Sequence, residues 1–205
     1  MMDYFALLNE PRRPWLDEEL LKAKFLELSS EVHPDRIHGA PEEEKQRANQ
    51  RFADLNSAYH CLREPKTRLQ HLLELESGTR PKEIQQIPPE TMDLFLEIAQ
   101  LCRDVDGFLS QRAGVTSPVL KVEMFERSQE WTDKLTAVQR RLNAEREALA
   151  AELKQMNPAW EEATASGEAR SRSLPLGQLQ KVGSQLGYLT RWAAQIQERV
   201  VQLAL

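Results

Sequence analysis

Apolar residues recur at helical spacing along almost the whole chain. Tyr4, Phe5, Leu7 and Leu8 open a short helix that "NEPRRP" stops, because Pro11 and Pro14 bar the helical conformation of the residues before them. From Leu16 to Val32 the positions Leu21, Phe25, Leu28 and Val32 fall at i, i+4, i+7 and i+11. That is one buried stripe, with Asp17 and Glu18 near the positive end of the helix and Pro34 beyond its other end. The acidic run Glu42, Glu43, Glu44 opens a second long helix, in which Phe52, Leu55, Tyr59 and Leu62 repeat at three and four residues and pair it with the first. A short helix follows Pro65 in "LREPKTRLQHLLEL".

"ESGTRPKEIQQIPP" then interrupts all periodicity, which predicts a first domain over 1–73, a linker over 74–89 and a second domain over 90–205. The second domain reads as three helices, about 90–111, 117–156 and 176–204, with the stretch 157–175 taken as a long loop. In the middle helix Met124, Trp131 and Val138 alternate with Leu135, Leu142, Leu149 and Met156 at near-heptad spacing. Long helices packed nearly antiparallel show such a seam, so the expectation is a three-helix bundle with a plain apolar core.

Composition agrees with an all-α fold: 29% of the 205 residues are charged and only 8 are Gly. A net charge of −5 leaves no broad basic face for phosphates, which argues against nucleic acid as a partner. No apolar run approaches membrane-spanning length, and "MMDYFALLNEPRRPW" resembles neither a secretory signal nor a transit peptide. The expectation is a cytoplasmic protein, most simply bacterial, with no membrane contact. Cys61 and Cys102 lack the spaced companions of a zinc site or disulfide framework and read as packing residues, so no metal or cofactor is expected.

The chemistry-bearing cluster is His33, Pro34 and Asp35, between the two long helices. No catalytic cluster of a Ser or Cys nucleophile with further carboxylates surrounds them in sequence, which disfavours an enzyme. At roughly 100° per residue, Lys22, Leu26, Ser29 and His33 form one stripe away from the buried one, predicted to face solvent. Lys24 and Glu27 could form an i,i+3 pair on the other flank.

The short first helix, the antiparallel pair, His-Pro-Asp between them and "LNSAYHCLREPKTR" closing the third helix resemble a J-domain. The resemblance implies that His33, Pro34 and Asp35, with Lys22 and Arg36, dock on a DnaK-type chaperone and stimulate its ATPase. Asp35 can accept charge-assisted hydrogen bonds from a partner Arg, and Pro34 lowers the entropy lost on docking. A turn that merely terminates a helix is the plain alternative.

Three further features resemble the HscB-like co-chaperones of iron–sulfur assembly: "MDYFALL", "RLQHLLEL", and a helical second domain containing "LGYLTRW". That family implies a specialised HscA-type chaperone and an IscU-like scaffold protein as partners, the scaffold held by the bundle, with no reaction catalysed by the chain itself. The helix from about 90 buries Leu94, Ile98, Leu101, Cys102, Val105 and Leu109 on the wheel. Met92, Leu96 and Ala99 remain as a separate apolar strip bordered by Phe95, where the resemblance puts scaffold binding. In the last helix Tyr188 lies roughly 120° from the core side, with Arg191 and Gln195, and reads as an exposed anchor. Of the acids the resemblance leads one to expect on the strip's helix, Glu97 and Asp104 are present, whereas Gln100 and Arg103 stand at two other positions. An adaptor for a different client is the alternative function; a purely structural helical protein is a third.

Overall fold

The computed structural model describes residues 2–32, 41–79, 89–166 and 170–205. Among them every regular element is helical: α1 (Tyr4–Leu7), α2 (Glu18–Glu31), α3 (Glu42–Arg63), α4 (Pro65–Ser77), a 3₁₀ turn (Pro89–Thr91), α5 (Met92–Ala113), α6 (Pro118–Ser166), α7 (Arg170–Ser173) and α8 (Leu176–Ala204).

The starts of the early helices follow from their caps. Asp3 accepts from the N–H groups of Phe5 and Ala6 at 3.0 and 3.2 Å, and Asp17 does the same for Glu19 and Leu20 at 3.0 and 3.1 Å. Each carboxylate satisfies donors that have no partner inside the helix. At its far end α4 stops at Gly78, whose φ of 71° is open to glycine without a side-chain clash.

Two compact units emerge. The first contains residues 1–83 and 150–183, the second residues 84–149 and 184–205. The first unit therefore holds α1 to α4, the last part of α6, α7 and the start of α8.

In the first unit Phe5, Leu8, Leu16, Leu21, Leu55 and Leu62 are fully buried, and Phe25 of α2 stacks on Tyr59 of α3 at 4.4 Å between ring centres. Arg68 of α4 is buried as well. Its guanidinium donates to Pro14 O at 2.9 Å and to Leu62 O at 2.7 Å, so one side chain satisfies a loop carbonyl and a carbonyl in the last turn of α3. Burial lowers its pKa to about 10, which leaves it charged at neutral pH.

The stretch 157–175, expected as a loop, is mostly helical. α6 runs through Pro158 to Ser166, and α7 follows at Arg170–Ser173. A proline inside a helix costs about 3 kcal/mol through its missing N–H and its clash with the preceding turn. The compensation is burial: Leu153, Met156, Trp160 and Ala163 lie on one face and are all buried, Trp160 at 1% exposure. One indole withdraws about 200 Å² from water, enough to outweigh the proline.

Asn157, beside that proline, makes two hydrogen bonds to the backbone of one residue. It accepts from Trp15 N at 3.0 Å and donates to Trp15 O at 3.0 Å. Lys154, one turn earlier, places its ammonium 4.6 Å from the centre of the Trp15 ring.

The second unit is a bundle of α5 with the flanking parts of α6 and α8. Ile98, Cys102, Val105 and Phe108 meet Leu135, Val138 and Leu142, together with Leu189, Trp192, Ile196 and Leu203. The predicted seam residues Met124, Trp131 and Leu149 pack at its margin, as do Leu94, Leu101 and Leu109. Phe108 and Trp192 are core residues that the helical wheel left out. Arg112 closes the end of the bundle by donating to Leu203 O at 2.8 Å and Gln202 O at 2.6 Å, carbonyls of the last turn of α8.

Replacing Asn157 by Ala removes both bonds to the Trp15 backbone and is expected to destabilise the first unit by about 1–3 kcal/mol. Urea unfolding followed by tryptophan fluorescence reads this directly; an unchanged midpoint would show that the Trp15 backbone does not depend on the carboxamide.

Candidate functional site

Two surfaces carry the residues singled out from the sequence, one in each compact unit. The first is on α2 and the stretch after it. His33, Pro34, Asp35 and Arg36 lie outside the described residues, so the structure locates only their surroundings: α2 ends at Glu31, and α3 begins at Glu42 behind Pro41.

On α2 Lys22 is exposed, and Leu26 is 55% exposed, as the stripe requires. Ser29 departs from the expectation and is buried. It lies closer to the buried stripe than Lys22 or Leu26 does, only 40° from Phe25 on an ideal wheel, and its side chain is too short to reach outward. Its hydroxyl has no hydrogen-bond partner among the described residues.

The Lys24–Glu27 pair is also corrected. Lys24 reaches back to Glu10, Nζ to Oε1 at 2.7 Å, and donates to Asn9 O at 3.0 Å. The Glu10 carboxylate is buried, so it needs a cation more than the solvated Glu27 does.

His71 supports this unit from α4. Its Nε2 accepts from Tyr4 N at 3.1 Å, which requires the neutral ring with the proton on Nδ1, and the Tyr4 ring sits 4.6 Å away. Burial lowers its pKa below the ordinary 6.5, against the opposing pull of Asp3 and Glu74. Burial alone would raise the Asp3 carboxyl; Arg12, with the N–H groups of Ala6 and Phe5, outweighs it and holds Asp3 below 3.8.

The second surface is the outer face of α5. Met92 and Leu96 are 38% and 56% exposed, and Ala99 is partly exposed beside them. Phe95 turns toward the core, 5.8 Å from the Trp192 ring. The carboxylates at the two edges are occupied. Glu97 takes both oxygens to Arg141 of α6 at 2.7 and 2.8 Å, and Asp106 pairs with Arg199 of α8 at 2.7 Å.

Tyr188 is not the exposed anchor expected; it is 8% exposed. Trp192, one turn on, lies 5.8 Å from its ring, and the Arg191 guanidinium covers it at 4.6 Å. The wheel misplaced it because Trp192 was not counted in the core. Including that indole and Phe95 widens the buried face of α8 enough to take in Tyr188.

Cys102 is buried as a packing residue, whereas Cys61 is only half-buried, with its thiol 3.6 Å from Thr67 O. Burial pushes both thiols above their ordinary pKa, away from the reactive thiolate. Among the described residues no helix is long and apolar enough to cross a membrane.

Comparison with known proteins bears on both units. Residues 3–71 match the DnaJ domain family. This segment is a J-domain. A co-chaperone protein HscB homolog from Azoarcus sp. (strain BH72) is 45% identical over 73 residues, 36% of this chain and 41% of that relative, so the chain spans about two fifths of the relative's length. Over nearly the full chain the fold is similar to two solved structures. Chaperone HscB from Vibrio cholerae covers 97% of this chain and 99% of its own at 23% identity, with a TM-score of 0.50. Human co-chaperone protein HscB covers 98% of this chain and 81% of its own at 17% identity, with a TM-score of 0.58. The chain is thus an all-α protein with an N-terminal J-domain and a C-terminal helical bundle, built like HscB.

The state of His71 gives a pH signature. Its contribution to stability is fully present above about pH 6.5, the unfolded value, and is lost as the pH falls through the lower folded pKa. Thermal melts between about pH 7.5 and pH 5 should show a decline that His71→Gln, which keeps an acceptor without a titrating ring, flattens. An equal decline in the variant would assign the effect to another group.

Proposed function

We propose that this chain is a co-chaperone of iron–sulfur cluster assembly. Its J-domain stimulates the ATPase of a DnaK/HscA-type chaperone, and its bundle delivers an IscU-like scaffold protein. The observation that carries the reading is the match of residues 3–71 to the DnaJ domain, with His33, Pro34 and Asp35 placed in sequence between the two long helices of that domain. The HscB-like fold along the rest of the chain supports the iron–sulfur role over a general one.

In this reading residues 1–73 are the chaperone-stimulating domain, 74–89 the linker, and 90–205 the scaffold-binding domain. His33, Pro34 and Asp35 contact the partner ATPase, with the cations Lys22 and Arg36 beside them. Lys22 suits this role because it is exposed and forms no ion pair among the described residues. The chemistry is the partner's; this chain contributes binding energy that favours the hydrolysing state of the chaperone.

Met92, Leu96 and Ala99 form the scaffold-binding strip, with Phe95 and Tyr188 supporting it from below rather than touching the client directly. An apolar strip on a helix whose other face is fully used by the core needs a cover, and a client surface supplies one.

Single-turnover ATPase measurements with the same organism's DnaK-type chaperones test the reading. The expected result is stimulation that the scaffold enhances and that His33→Gln and Asp35→Asn abolish without loss of helical content. Stimulation indifferent to the scaffold would point to a different client, and no stimulation of any such chaperone would overturn the co-chaperone role. Replacing both Met92 and Leu96 by Ala should weaken scaffold binding by about tenfold or more while leaving the stimulation by the J-domain alone unchanged. Retained affinity would remove the strip from the client site.

A further inference from the structure

The α5 strip carries an uneven distribution of charge. On an ideal wheel Arg103 falls within the strip, between the directions of Met92 and Leu96, while Asp93 and Asp104 lie on the flank toward Glu97 and α6. On the opposite flank, toward α8, Phe95 leads through Trp192 to Tyr188 and the Arg191 guanidinium that covers it.

The carboxylates that could neutralise these two guanidiniums are engaged elsewhere. Glu97 is held by Arg141 and Asp106 by Arg199. Asp104 accepts from Gln100 at 2.8 Å, and Gln100 in turn accepts from Arg103 at 2.7 Å. Arg103 is thus held by a neutral amide, and Arg191 by a ring face and the Gly187 carbonyl at 3.4 Å. Among the described residues neither forms an ion pair.

A guanidinium in this state keeps several directed donors available and gives up little on binding a carboxylate. We infer that the partner of the α5 strip presents an apolar ridge bordered by carboxylates that pair with Arg103 and Arg191. Arg103 is the specificity-determining residue of that contact. In a chain whose net charge is −5, the two cations are a local reversal of the overall sign, which orients an acidic partner on this face instead of repelling it. The flank of Asp93 and Asp104 disfavours the reversed placement of the same partner.

This inference rests on the scaffold-delivery reading, and its test separates the two. Titration calorimetry with the same organism's IscU-like scaffold is run at low and high salt for the wild type, Arg103→Lys and Arg103→Glu. Arg103 is exposed and, among the described residues, bonds to an exposed Gln100, so neither substitution disturbs the core. The expected result is binding about tenfold weaker for Arg103→Glu, a smaller loss for Arg103→Lys, which keeps the charge without the fork, and an affinity that falls with salt less steeply for Arg103→Glu than for the wild type. A wild type that binds the scaffold while Arg103→Glu binds equally well or more tightly overturns the inference alone. A wild type that fails to bind the scaffold overturns the delivery reading and the inference with it.

Discussion

The first compact unit depends on the satisfaction of one residue's backbone. The N–H and C=O of Trp15 are both taken by the Asn157 carboxamide, and a buried backbone group without such a partner would cost about as much as a lost hydrogen bond. Only one orientation of the amide serves both groups, with the oxygen toward the N–H and the nitrogen toward the carbonyl. The stretch between α1 and α2 is thereby held at one end, while Arg68 secures it again at Pro14 and Lys24 binds Asn9 and Glu10. Because these groups are fixed, α2 has a defined frame from which to present Lys22.

The same region shows why α6 tolerates a proline. Helix propensity is a weak, local term, and the gain from burying Trp160, Met156 and Ala163 exceeds the loss at Pro158. The long helices α6 and α8 therefore serve two cores, with apolar faces whose partners change along their length. In the second unit the ion pairs Glu97–Arg141 and Asp106–Arg199 fasten α5 to its neighbours on both edges. Exposed pairs of this kind add little to stability. They also engage two carboxylates at the edges of the face that α5 offers.

Much of the architecture was legible in the order of residues alone. The apolar spacing in Leu21, Phe25 and Leu28, and again in Leu135, Val138 and Leu142, predicts helices because the period of 3.6 is a local property of the chain. The cap residues Asp3 and Asp17 are equally local. The motif His33, Pro34 and Asp35 was recognisable for the same reason, as three adjacent residues between two such helices. The strip of Met92 and Leu96 also followed from periodicity, since those positions remain once the core face of α5 is filled.

What depended on distant residues was not legible. Lys24 has an acid three residues away but bonds to Glu10, because a buried carboxylate gains more from a cation than a hydrated one. Tyr188 is buried beside Trp192, whose ring also meets Phe95 from another helix. Asn157 and Pro158 resemble a helix end until Trp15, more than a hundred residues earlier, supplies their partner. Sequence thus determined the elements, their caps and the J-domain motif, all set by neighbours a few positions apart. Tertiary structure decided which side chains are covered and which charges remain free, because burial and ion pairing depend on groups brought together only by the fold.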